Sequence, residues 1–192
     1  MQRTSHRQIS GFTLVELMIT VAIIGILAAT AITMFRAQQF RSKRTEGMTN
    51  LEALAKMARG YFGDIGAYPV VAGAWPAAAP QTIPIPWDVA SNAQFGVMGF
   101  RIDGGVRYAY DFDAAGECPC ASAACFTAVA FSDLDGDALF GGIGYFHRDA
   151  GGVECPTAIF GWTAPLDSGG NPQYDAAMAF PKIGGALSPD DY

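Results

Sequence analysis

Apolar and polar positions divide the chain into three regimes. Residues 1–11 are polar, with Arg3 and Arg7 and no acid. Residues 12–35 are apolar almost throughout. Glu16 is their only charge, and Leu17 to Phe35 forms 19 consecutive uncharged residues. At 1.5 Å per residue that run makes about 28 Å of helix, close to the hydrocarbon thickness of a bilayer. From Arg36 onward the spacing becomes that of an amphipathic helix. Gly47, Leu51, Leu54, Ala58 and Tyr61 recur at steps of four, three, four and three, which is one face of a 3.6-residue helix. The pattern predicts one continuous helix over residues 12–60, with a membrane-length segment at 12–35 and an amphipathic segment at 36–62. Gly60, Gly63 and Gly66 are its expected stop.

The remaining residues, 63–192, read as a globular head. Residues 67–95 carry Pro69, Pro76, Pro80, Pro84 and Pro86, so regular helix or central strand is not expected there. Trp75 and Trp87 are expected to pin this loop to the head. Strand patterns follow. Residues 106–112 alternate large apolar side chains with smaller or charged ones, after a turn at Asp103-Gly104-Gly105 that leads from 99–102. Further strands are predicted at 126–131, 143–147 and 158–162, while 176–180 is ambiguous. Short connections imply antiparallel order. The fold class is α+β: a long N-terminal helix packed through its amphipathic half on an antiparallel sheet.

A lone carboxylate in an apolar span costs about 2.5–3.5 kcal/mol on insertion scales, so Glu16 calls for a partner. A secretory signal would place its small-residue cleavage site after the apolar run. Here the small residue, Gly11, precedes it. Cutting between Gly11 and Phe12 leaves the apolar helix on the mature chain, with a new amine one helical turn from Glu16.

Gly11-Phe12-Thr13-Leu14-Val15-Glu16-Leu17, followed by Val21-Ala22-Ile23-Ile24-Gly25-Ile26-Leu27-Ala28-Ala29, resembles the type IV pilin and pseudopilin signature. The resemblance is dense over about residues 7–35. It implies a leader at 1–11, removed by a prepilin peptidase, and N-methylation of Phe12. It implies that Glu16 neutralises the terminal amine of a neighbouring subunit in a filament, and that the head has a pilin-like fold. It also implies an inner-membrane assembly platform as partner. The protein would sit in the inner membrane as a single pass before assembly, and in an extracellular pilus or periplasmic pseudopilus afterwards. Thr33 stands where many members carry Pro, so extensive melting of the helix there is not expected.

Charge and cysteines constrain the compartment. The formal net charge is −6, and loss of residues 1–11 leaves ten basic against eighteen acidic side chains, or −8. That balance disfavours nucleic acid as a partner. Arg36, Arg41, Lys43 and Arg44 outnumber Arg3 and Arg7, so charge counting alone keeps the head cytoplasmic. The resemblance puts it outside, as do the cysteines. Cys118, Cys120, Cys125 and Cys155 are even in number and suit an oxidising exterior. Pairing of Cys118 with Cys120 across Pro119 would be strained. One of these two therefore joins Cys125 and the other Cys155, in an order left open. Zinc is the competing reading, disfavoured by the one-residue spacing and the lack of an accompanying His.

Only Asp133, Asp135 and Asp137 have the character of metal ligands. Alternate carboxylates around Gly136 resemble the start of a calcium loop, but the closing acid of such a loop would fall on Gly144. A hairpin turn built on Asp-Gly is the other reading. His147, the one His outside the leader, reads as a strand residue, and no nucleophile or phosphate loop accompanies it. An enzyme is not expected, and no cofactor beyond the calcium alternative. The favoured function is a type IV pilin-like structural subunit, assembled with copies of itself or related pilins. The alternatives are a minor tip pilin acting as an adhesion or binding module, and a type II secretion pseudopilin.

Overall fold

The structure, a computed structural model, describes residues 11–77, 82–114, 118, 120, 124–155 and 161–180. Two compact units divide between Gln39 and Phe40. Helix α1, Leu14–Ile65, contributes to both.

Both ends of α1 have local causes. The Thr13 hydroxyl accepts a hydrogen bond from the backbone N–H of Glu16 at 3.2 Å, so Thr13 caps the helix and Phe12 lies outside it. The helix continues past Gly60 and Gly63, each costing about 1 kcal/mol relative to Ala, and stops at Gly66. There φ is +80, and the Gly66 N–H donates to the Phe62 carbonyl at 2.8 Å. No break occurs at Gly25 or Thr33. In the first unit every described residue, Gly11 to Gln39, is exposed.

The second unit is the head. Its sheet has the antiparallel order β3 (Ala109–Asp113), β4 (Phe126–Ser132), β5 (Gly141–His147), β6 (Ala177–Phe180). The register brings Phe112, Ala128 and Tyr145 into one row and Tyr110, Ala130 and Ile143 into another. Small residues on the central strand between large neighbours leave room for a helix. Leu51, Leu54, Ala55 and Ala58 of α1 are buried in the same cluster as these rows. Gly47 is in closest approach: a Cβ there would lie 2.8 Å from Ile143 Cδ1 and 2.9 Å from the Tyr108 ring. Glu46, one residue earlier, accepts from the backbone N–H of Arg107 at 2.9 Å and from its Nη1 at 2.8 Å. Asn50 donates to the Tyr110 hydroxyl at 2.8 Å, and burial holds that phenol well above its ordinary range.

The other face of the sheet has its own packing, which hydrophobic alternation did not announce. β5 carries Gly142 and Gly144 on that face. A Cβ on Gly142 would overlap the Trp162 ring, and Phe146 and Phe180 crowd Gly144. Trp162 stacks on Phe180 with centroids 4.7 Å apart. The glycines are therefore a floor for aromatic rings.

Several expectations are corrected. The proline-rich stretch 67–95 contains regular structure after all. β1 (Ile85–Pro86) pairs with β2 (Gly105–Val106), and α2 (Val89–Phe95) follows, continuing into a 3₁₀ turn at Gly96–Met98. Asp88 starts α2. Its carboxylate accepts from the Ser91 N–H at 2.7 Å and the Ser91 hydroxyl at 2.6 Å, bonds that hold its pKa below the ordinary range. No strand forms over 99–102, since β1 takes the place beside β2. The strand expected at 106–112 is split by Arg107-Tyr108, where the chain turns its backbone to Glu46. Trp87 is buried against Phe95, Phe100 and Tyr110, and the Trp75 backbone exchanges two hydrogen bonds with Tyr110. The predicted strand at 158–162 falls mostly outside the described residues.

Candidate functional site: the exposed apolar helix

Gly11 and Phe12 are both exposed, ahead of the Thr13 cap. The cap also places Glu16 at the third helical position, where unpaired backbone N–H groups favour a negative charge. Thr13-x-x-Glu16 is a capping-box spacing, a signal the sequence reading passed over. The single chain thus supplies Glu16 with partial relief from amide dipoles.

The rest of the segment has nothing over it. Leu14, Met18, Ile24, Ile26, Met34 and Phe35 are each more than 60% exposed. Its polar side chains are self-satisfied instead. Thr20 donates to the Leu17 carbonyl at 2.9 Å, Thr30 to Leu27 at 3.0 Å and Thr33 to Thr30 at 2.9 Å. With its hydroxyls bonded internally, the helix is long and apolar enough to cross a membrane. Out of lipid, burying each Leu or Ile side chain contributes about 1.5–3 kcal/mol. The eight Leu and Ile side chains of residues 12–35 outweigh the cost of one carboxylate. Within lipid the apolar faces are already solvated, and the carboxylate becomes the discriminating group.

Other predicted site residues lie in the head, among its loops and strand ends. Disulfides join Cys118 to Cys155 and Cys120 to Cys125, with Cα separations of 4.7 and 6.0 Å. That is one of the two pairings the sequence left open. The first ties the chain after β3 to the segment after β5, where the Thr127 hydroxyl donates to the Cys155 carbonyl.

Asp133, Asp135 and Asp137 bring carboxylate oxygens within 4.8 Å of one another. Asp133 spends both oxygens on the turn itself: N–H groups of Gly136, Asp137 and Ala138 donate at 2.7, 3.2 and 2.9 Å. Asp137 accepts from the Leu139 N–H at 2.9 Å. Gly144, the position of a closing ligand, is a strand residue opposite Val129. These residues make a hydrogen-bonded turn whose three carboxylates stay clustered.

His147 ends β5, as a strand residue should. Its Nδ1 lies 2.6 Å from Asp175 Oδ1, a pairing with no signal in the sequence because 28 residues separate the two.

Comparison with known proteins bears on the helix first. Residues 6–32 match the model of the prokaryotic N-terminal methylation motif. The chain is 40% identical over 115 residues to the type IV major pilin protein PilA of Myxococcus xanthus (strain DK1622), covering 59% of this chain and 42% of that protein. It is 42% identical over 67 residues to the fimbrial protein EcpC of Eikenella corrodens, covering 35% and 39%. The chain spans about two-fifths of the length of these two relatives.

Proposed function

We propose that this chain is a type IV pilin-like structural subunit of an extracellular or periplasmic filament, cut between Gly11 and Phe12 and assembled through its N-terminal helix. The observation that carries the reading is the first unit of the molecule: a capped, unbroken apolar helix in which every described residue is exposed. Before assembly a bilayer covers that surface. After extraction only other apolar helices can cover it without leaving a large patch in water. The methylation motif lies on the same residues, and both relatives carry pilus or fimbrial names.

In this mechanism a prepilin peptidase exposes the amine of Phe12 and methylates it. The methylated amine keeps its proton. It lies close to Glu16 of its own chain, but a staggered bundle offers Glu16 the amine of the neighbour. Pairing lowers the cost of both charges at one axial register only. Glu16 therefore selects register, and the apolar side chains between Leu14 and Phe35 supply most of the packing. An inner-membrane platform draws the processed chain from the bilayer, with the disulfide-bonded head outside.

Glu16→Ala tests this. It makes the segment more apolar, so insertion and cleavage persist, while the ratio of the chain in sheared filaments to that in the membrane falls at least tenfold. An unchanged ratio removes Glu16 from assembly.

A further inference from the structure

A second feature of the head lies at the C-terminal part of α1, apart from the helix surface used above. Arg59, Phe62, Tyr68, His147 and Arg148, together with the acids Asp149 and Asp175, line an open groove of about 490 Å³. Its two guanidinium groups are exposed, and among the described residues neither forms an ion pair. Each is laid on an aromatic ring instead. Arg59 sits over Tyr145 at 5.8 Å and Arg148 over Tyr174 at 4.7 Å. Stacking restrains the planar fork while leaving its edge donors open, which is the arrangement that takes carboxylates in bidentate fashion.

The groove's own two acids already have partners. Asp149 accepts from the N–H groups of Gly151 and Val153 at 2.8 and 2.9 Å. Asp175 is held by His147 and meets the Tyr145 hydroxyl at 3.4 Å. A head with excess negative charge thus presents two restrained guanidinium groups, without an ion pair among the described residues, in a groove that also contains the stacked Phe62–Tyr68 pair, whose centroids are 4.6 Å apart.

We propose that this groove is an anion-binding site that receives a carboxylate-bearing segment of a second copy of this chain, so that heads as well as helices make contact. The choice of occupant rests on the filament reading; the anion site does not. Charge complementarity supports that occupant. The mature chain is acidic, and it carries exposed carboxylates such as Glu52 and Asp103. A filament holds copies at high effective concentration, so a weak contact suffices.

Two measurements separate the claims. Full-length chain in nonionic detergent is titrated against a fluorescein-labelled triglutamate peptide by anisotropy. Binding is expected at low salt. Arg59→Gln and Arg148→Gln should each weaken it at least fivefold, and Arg101→Gln, outside the groove, should leave it unchanged. No binding, or equal loss in all three variants, overturns the anion site. Filaments of the same variants are then dissociated with NaCl. The groove variants should release subunits at less than half the salt concentration required by the parent. Identical salt profiles, with peptide binding intact in the parent, overturn the second copy as occupant and leave the site standing.

Discussion

Gly47→Ala and Gly60→Ala place the same methyl group on the same helix and should act in opposite directions. A Cβ at Gly47 would stand 2.8 Å from Ile143 Cδ1 and 2.9 Å from two carbons of the Tyr108 ring, whereas one at Gly60 meets nothing within 4 Å. Carbon contacts are optimal near 3.5–4.0 Å, so the Gly47 methyl intrudes by roughly 0.6–1 Å into a buried cluster. Overpacking of that kind costs about 1–3 kcal/mol. Both substitutions gain about 1 kcal/mol of helix propensity. The net expectation is a loss of about 1 kcal/mol for Gly47→Ala and a gain of just under 1 kcal/mol for Gly60→Ala. Because the propensity gain is common to both, their difference isolates the packing contribution of α1 against the sheet. For a head of this size each kcal/mol moves Tm by about 2–4 °C, so the variants should melt roughly 4–8 °C apart. Near-UV circular dichroism of full-length protein in detergent reads the aromatic cluster directly. Equal melting temperatures, or a more stable Gly47→Ala, would refute the close seating of α1 on Ile143 and Tyr108.

Other consequences are open to simpler assays. Cys155→Ser opens a loop whose ends are 37 residues apart, so chemical unfolding of the oxidised head should show a loss approaching about 4 kcal/mol on the chain-entropy account. A chelator should leave the melting temperature unchanged, because backbone N–H groups already satisfy Asp133; a fall reversed by calcium would establish the ion and overturn the turn reading. Burial pushes the Tyr68 phenol up to about 12, against the opposing pull of Arg59. Its contribution to stability is therefore complete below the unfolded value of about 10 and lost as pH rises through about 12. Alkaline unfolding monitored by phenolate absorbance should shift upward in Tyr68→Phe, and an unmoved midpoint would contradict the assignment.

Legibility followed the range of the interactions. The buried face of α1 was readable from Gly47 to Ala58 because 3.6-residue periodicity is local. The strands at 126–131 and 143–147 were readable for the same kind of reason. Sequence proximity also carried the resemblance around Gly11, Phe12 and Glu16, where residues 6–32 match the N-terminal methylation motif. What escaped depended on partners far along the chain. Arg107 breaks a good strand pattern in order to reach Glu46, 61 residues away. The glycines of β5 make sense only with Trp162 and Phe180 over them. α2 was hidden among prolines although Asp88 and Ser91 carry a local cap signal, and Thr13 was overlooked beside Glu16 for the same reason. Disulfide order needed the fold, because exclusion of the Cys118–Cys120 ring left two pairings equally open.

The central claim is that this chain is processed ahead of its apolar helix and built into a filament by it. Intact mass spectrometry of filaments sheared from cells that make the protein tests both halves together. The account predicts that the filaments contain this chain as a principal component, beginning at Phe12 with one added methyl group and with all four cysteines oxidised. Filaments that lack the chain, or a cell-associated chain that retains residues 1–11 or is cut after the apolar run, would contradict it.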